Sequence, residues 1–156
     1  MKKNFNGIWF YGISGSGKSF ASKYLNKIKK NSIIIDGDFV RKHISFDLNY
    51  TIKHRCIQCE RVLGISKLVL NSGYFPIIST SYLSKETFTK LKKNKIKPVK
   101  IFRDLNLCKK YGKAFKKNKK NLIGFDIEQQ VFDTLSINNK NKKSLFKELR
   151  RLNEKN

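Results

Sequence analysis

The sequence predicts an α/β fold, a parallel sheet covered by helices on both faces. Three observations predict it. Short apolar runs alternate with stretches whose apolar residues recur every three to four positions. A glycine-rich loop joins the first such run to the first such stretch. An acidic pair, Asp36 and Asp38, follows the second run, where a parallel sheet presents its ligand-facing carboxyl edge.

Taken in order, Ile8-Trp9-Phe10-Tyr11 reads as a buried strand that stops at Gly12. Phe20 to Ile28 carries apolar residues at helical spacing, with Ala21, Tyr24, Leu25 and Ile28 on one face. Ser32 to Ile35 is a second buried strand, and Phe39 to Ile44 resumes a helical pattern. Ile57, Val62, Leu63, Ile65, Leu68, Val69 and Leu70 predict a long helix over 53–71, ended by Asn71-Ser72-Gly73. Tyr74 to Ser79 is a third strand. Ser84 caps a helix running to Lys93, with Glu86 in its first turn. Pro98 to Phe102 is a fourth strand, and 104–120 is a lysine-rich, mobile segment of helical character. Gln130 to Leu135 is read as a fifth strand and Asn138 to Lys143 as a polar turn. Lys142 to Leu152 closes the chain as a helix with Leu145, Phe146, Leu149 and Leu152 on one face. No repeat or linker divides the 156 residues, so a single domain, 1–156, is expected.

The loop Gly12-Ile13-Ser14-Gly15-Ser16-Gly17-Lys18-Ser19 fits G-x-x-x-x-G-K-[ST], with the strand before it and the helix after it that the motif requires. Its glycines let backbone N–H groups face a phosphate without Cβ obstruction, and the helix adds its positive N-terminal end. Lys18 is expected to reach the β- and γ-phosphates of ATP, and the Ser19 hydroxyl to ligate Mg²⁺. The fold expected is therefore the P-loop NTPase type. Asp36-Gly37-Asp38 puts carboxylates where a small-molecule kinase needs one, beside the γ-phosphate, to orient an acceptor hydroxyl and take its proton. Lys18, Asp36 and Asp38 are the catalytic candidates. An Asn-Lys-x-Asp guanine motif is absent, which argues against a GTPase.

The net charge of +24 invites a nucleic-acid reading. The excess is Lys, 29 against 6 Arg, and Asn, Ile and Phe are abundant with it, as a coding bias toward A/T would produce. Arg forks and aromatic platforms, which readers of nucleic acid favour, are not what is enriched. Dedicated nucleic-acid binding is not expected; a basic surface would still attract nucleotides. No apolar run approaches the roughly 20 residues of a membrane span. Met1 to Phe5 lacks the apolar core of a secretion signal, so a cytoplasmic protein is expected. Three cysteines suit a reducing compartment. Cys56 and Cys59, at helical i, i+3 spacing without a second pair, read as idle thiols and not a zinc site. His43 reads as a surface helix residue, and Trp9 and Phe10 as core. Nothing in the sequence fixes the oligomeric state, and a homodimer is compatible with it.

Three quoted stretches carry a resemblance: "IWFYGISGSGKSFASKYL", "IIIDGDFVRKHISFDLNYTIKHR" and "ERVLGISKLVLNSGYFPIIST". Together they resemble the adenylylsulfate kinase (APS kinase) family. That pattern runs from a Trp-Phe strand into G-L-S-G-S-G-K-S, then D-G-D-x-x-R, then D-L-G-F-S with an arginine soon after. The likeness covers about 8–80 without gaps. Fainter echoes follow in Tyr111-Gly112-Lys113-Ala114 (the family's lid run), Ile123-Gly124-Phe125-Asp126 and Phe132-Asp133-Thr134.

The resemblance implies transfer of the γ-phosphate of ATP to the ribose 3′-hydroxyl of adenylyl sulfate. It implies that Gly12 to Ser19 hold ATP and Mg²⁺, and that Asp36 and Asp38 flank the acceptor hydroxyl. Arg41 and Arg55 would bind the acceptor's anionic oxygens. Tyr50, Gln58 and Ser81 would line its site, and Lys113 would lie in a lid over 104–125. The chain departs from the pattern at Asn49 (for Gly), His54 (for Asp), Gln58 (for Asn), Glu60 (for Arg), Tyr82 (for Ser) and Leu122 (for a purine-stacking Phe). Two alternatives stay open: a kinase for another nucleotide-linked hydroxyl, such as a cytidine-linked intermediate of surface polysaccharide synthesis, and a non-catalytic nucleotide binder.

Overall fold

A computed structural model describes residues 5–117 and 120–154. Five parallel strands form one sheet in the order β2-β3-β1-β4-β5. The strands are β1 (Gly7–Tyr11), β2 (Ser32–Asp36), β3 (Phe75–Thr80), β4 (Ile96–Phe102) and β5 (Leu135–Asn138). The helices between and after them are α1 (Lys18–Ile28), α2 (Gly37–His43), α3 (Ile52–Asn71), α4 (Lys85–Lys93), α5 (Leu105–Tyr111), α6 (Lys113–Lys116) and α7 (Lys142–Glu154).

The central strand β1 is buried on both faces, which is why it reads as an unbroken apolar run. Its residues alternate between two cores. Ile8 and Phe10 join Ile77, Val99 and Ile101 under Ala21 and Leu25 of α1 and Leu145, Leu149 and Leu152 of α7. Trp9 and Tyr11 join Ile78 under Val62 and Leu63 of α3 and Leu91 of α4. Each such side chain, fully buried, contributes roughly 1.5–3 kcal/mol. The two cores pin β1, and β1 positions the loop that follows it.

The fifth strand is not Gln130 to Leu135. Residues 130–134 are irregular, and β5 begins at Leu135 and pairs with β4 from Val99 to Phe102. Phe132 serves instead as a brace, stacked on Phe88 with centroids 4.1 Å apart and edge-on to Tyr11 at 5.9 Å. The Tyr11 hydroxyl meets Thr134 Oγ1 at 3.1 Å. Ile137 supplies the buried contact of β5, so the apolar Val-Phe run misled and the polar-looking Leu-Ser-Ile-Asn paired. The polar turn is shorter than expected, because Asn138 still belongs to β5 and α7 starts at Lys142. β4 begins at Ile96, two residues before Pro98, and β5 pairs only from Val99, beyond the proline that lacks an N–H.

Candidate functional site

The carboxyl ends of β1, β2 and β3 converge on the loop 12–19. Gly15 has φ 81° and Gly17 φ 101°, conformations a side chain disfavours. A Cβ on Gly15 would overlap the Cys108 carbonyl of α5, and one on Gly17 would overlap the Asn139 amide. The Ser16 N–H donates to Ile13 O at 3.2 Å, closing the loop on itself. Lys18 folds its Nζ onto Ile13 O at 2.8 Å. Burial pushes the Lys18 ammonium down to about 8, while the negative charges of Asp38 and Asp36 work against the shift.

Asp36 ends β2 and caps α2. Its Oδ1 accepts from the N–H groups of Asp38 at 3.0 Å and Phe39 at 3.2 Å. Its Oδ2 accepts from Ser79 Oγ at 3.1 Å and from Ser19 Oγ at 3.3 Å. The carboxylate therefore ties three segments together: the loop-helix junction, β3 and α2. Asp38, one residue into α2, is exposed and makes no such tie through its carboxylate. The two acids thus hold different positions, one clamped and one open.

Arg41, Tyr50, Arg55, Gln58 and Ser81 come together on the α2–α3 side. The Arg41 guanidinium lies 4.9 Å from the Tyr50 ring centroid and the Arg55 guanidinium 5.5 Å from it. Arg41 donates to Asn49 O at 2.7 Å. Arg55, only 6% exposed, donates from Nε to Tyr50 O at 3.0 Å, from Nη1 to Ser81 Oγ at 3.3 Å and from Nη2 to Asn121 O at 2.8 Å. Every acceptor is neutral, and among the described residues neither arginine forms an ion pair. Burial pulls both guanidinium pKa values down, and the Arg41 charge adds to the effect on Arg55. Gln58 is buried and donates to Gly37 O at 3.2 Å, while its Oε1 has no hydrogen-bond partner.

Lys113 is not among that group. It opens α6 as an exposed side chain, and the preceding Gly112 lies against Ser14 and Cys108, on the loop's side of the site. Gly124 approaches Ile13 closely, so the turn at 122–127 also rests on the loop. Phe125 stands edge-on to Phe115 at 4.9 Å beneath Lys109, and Leu122 is partly buried at the head of the turn. His43 is exposed, with its ring tilted against Phe39. Cys59 is buried, donates to Tyr82 O at 3.4 Å, and has its thiol pushed up to about 12 by burial. Glu60 accepts from Thr87 at 2.7 Å and Lys90 at 2.6 Å, tying α3 to α4.

Sequence reasoning missed Asn139, Arg103 and Asn121. Asn139 is buried and donates its side-chain amide to Ser16 O at 2.8 Å. Arg103 lies 5.0 Å from the Tyr111 ring centroid, with its Nε buried and unpartnered. With Phe102, Asp104, Leu107, Asn138, Asn139 and Lys140 it lines an open cavity of about 430 Å³ next to the loop. The available signal was position: both turns follow strands at the sheet's carboxyl edge, where ligands bind.

Residues 5–131 match the adenylylsulphate kinase family. An adenylyl-sulfate kinase of Buchnera aphidicola (from Schizaphis graminum) is 33% identical over 109 residues, 65% of this chain and 52% of that protein. One from Staphylococcus haemolyticus is 37% identical over 81 residues, 49% of this chain and 40% of that protein. The matched stretch thus spans about half of these relatives or less. Among solved structures, the APS kinase of Mycobacterium tuberculosis in complex with AMPPNP and APS superposes with a TM-score of 0.82, over 97% of this chain and 96% of that one, at 19% identity. A shikimate kinase of Acinetobacter baumannii shares the fold more distantly, with a TM-score of 0.59 at 10% identity over 97% and 93% of the chains. Over most of its length, from the first strand through the turn that rests on the loop, the chain belongs to the adenylylsulphate kinase family.

Proposed function

We propose that the protein is an ATP-dependent kinase that phosphorylates the 3′-hydroxyl of adenylyl sulfate. The observation that carries the reading is the pair of buried Arg55 and half-buried Arg41, two guanidinium groups over one tyrosine ring with no carboxylate at ion-pair distance among the described residues. Buried charge without a partner is costly. Such a pair fits an anionic ligand, and it is linked electrostatically through Asp38 to Lys18. The phosphate and sulfate of adenylyl sulfate supply that anion, and the forked donors suit their oxygens.

On this reading the amides of 12–19 and Lys18 hold the triphosphate, and the cavity beside Arg103 takes the ATP base. Ser19 Oγ and Asp36 Oδ2 offer hard oxygen donors 3.3 Å apart. That set fits Mg²⁺, which takes one or two protein oxygens with substrate phosphates. Bound there, Mg²⁺ would neutralise charge on the β- and γ-phosphates. Asp38 orients the acceptor hydroxyl and accepts its proton. The hydroxyl oxygen bonds to the γ-phosphorus as the bond to the β,γ-bridging oxygen breaks, and ADP leaves with that electron pair. Gln58 Oε1, buried and unpartnered, is free to accept from the acceptor nucleotide. ATP and free thiols both fit a cytoplasmic protein. Among the described residues no helix is long and apolar enough to cross a membrane.

A second reading rests on Leu122, an aliphatic side chain where a purine-stacking ring would be expected, with Phe125 engaged by Phe115. It keeps the chemistry and changes the acceptor to another nucleotide-linked hydroxyl. Measuring ADP release with a panel of acceptors separates the two. Adenylyl sulfate turned over well above every other nucleotide supports the first reading. Equal or better turnover of a cytidine-linked acceptor would replace it with the second. Tight ATP binding with no acceptor turned over would leave only a non-catalytic nucleotide binder.

A further inference from the structure

The turn that joins β5 to α7 makes a side-chain contact that the phosphotransfer reading does not use. Asn139 is 4% exposed, although it sits in a polar connection at the sheet's edge. Its main-chain N–H donates to Phe102 O at 2.8 Å, which anchors the residue to the end of β4. Its side-chain Nδ2 donates to Ser16 O at 2.8 Å, reaching the loop 12–19 across 123 positions of sequence. Gly17 lies so close that any side chain there would displace the amide.

The geometry has a consequence for phosphate binding. Ser16 C=O and Gly17 N–H belong to one trans peptide unit, so they point in opposite directions. Drawing the carbonyl toward Asn139 turns the Gly17 N–H to the other side, where the loop's amides would cradle a phosphate. The Ser16 N–H, by contrast, is already given to Ile13 O. Gly17, with its left-handed backbone and no side chain, has no packing of its own to fix that peptide unit, so the hold comes from outside the loop.

We propose that Asn139 is a positioning residue of the phosphate loop, whose side-chain amide holds the Ser16–Gly17 peptide unit in the orientation that binds a polyphosphate. The inference rests on the reading of 12–19 as the ATP site. It assigns the β5–α7 turn two jobs: one face lines the cavity beside Arg103, and the other sets the loop's amides. Nothing in the local motif specifies this, because the loop's own residues do not include the donor.

The test uses Asn139→Leu, close in volume and uncharged, and Asn139→Ala as the smaller alternative. Calorimetry measures Kd for Mg-ATP and for tripolyphosphate, which carries no base, well below each variant's melting temperature. Loss of the buried donor should raise both values by the same factor, roughly tenfold, in a protein whose circular dichroism is unchanged. A folded variant that binds tripolyphosphate within about twofold of the wild type overturns the proposal. So does one that loses ATP affinity alone, which would put Asn139 on the base side. A wild-type measurement covers the case in which both variants unfold. The Gly17 amide proton should shift downfield in nitrogen-15 NMR as tripolyphosphate is added, and an unmoved Gly17 resonance with other loop amides shifting overturns the proposal. Wild-type protein that binds neither ligand would instead refute the loop reading itself.

Discussion

Replacing Arg55 by Met separates a residue kept for ligand binding from one kept for the fold. The guanidinium makes three hydrogen bonds to neutral oxygens of Tyr50, Ser81 and Asn121, and because the donor is charged each is worth roughly 1.5–2 kcal/mol net, so about 5 kcal/mol is at stake. Against that stands the cost of holding a buried cation next to Arg41 without a carboxylate, itself several kcal/mol. The two nearly cancel, so Arg55→Met should leave stability within about 2 kcal/mol of the wild type. In a chain of this size the melting temperature then moves by less than about 8 °C. Binding behaves differently. Two charge-assisted bonds to the acceptor's anion, at roughly 2 kcal/mol each, amount to about a thousandfold in acceptor affinity. Steady-state kinetics with ATP and adenylyl sulfate varied in turn, alongside thermal melts, reads both quantities. The expected pattern is an acceptor KM or kcat/KM ruined by two to three orders of magnitude, an ATP KM little changed and a fold intact. An acceptor KM within about threefold of the wild type would refute the reasoning. So would a collapse of stability that takes both substrates down together, because Arg55 would then be a brace for Tyr50, Ser81 and Asn121.

Two further predictions concern the loop and the acids. Lys18 is held to about 8 by burial in the free protein; bound phosphates favour its charged form, so near pH 8–9 ATP binding should take up a proton and weaken as pH rises further. Calorimetry in buffers of different ionisation enthalpy measures that uptake, and finding the same uptake in Lys18→Ala, which should also lose most ATP affinity, refutes the assignment. Asp38→Asn should keep ATP binding and stability while turnover falls about a hundredfold or more. Asp36→Asn should also cost about 1–2 kcal/mol of stability, because its carboxylate caps α2 and anchors Ser79. Melts and single-turnover rates distinguish the two, and normal turnover in Asp38→Asn would move the acceptor-side role to Asp36.

How much was legible follows from how local each signal is. The loop 12–19, the strand before it and the helix after it are written in adjacent residues, because a tight turn around a phosphate needs glycines at fixed offsets and β1 must be apolar on both faces. The helix α3 is local in the same sense, set by apolar spacing, whereas the Asp36 cap on α2 emerged only from the structure. The five-residue error at β5 arose where local preference and packing disagree. Val131 is 83% exposed and Phe132 braces Tyr11, while Ile137 reaches the core from a run that looks polar. Arg41 and Arg55 stood out by sequence only as two of few arginines. That both lie over one ring without an ion pair among the described residues depends on where α2, α3 and the 120–122 turn come to rest. The Asn139 amide on Ser16 O is the extreme case, since 123 residues separate the partners and no propensity or motif relates them. Sequence by itself determined most of the elements and the glycine loop between β1 and α1, because those obey rules of a few residues' range. Only the tertiary structure decided which distant polar groups meet there, because a buried donor takes its acceptor from whatever element the sheet order brings within reach.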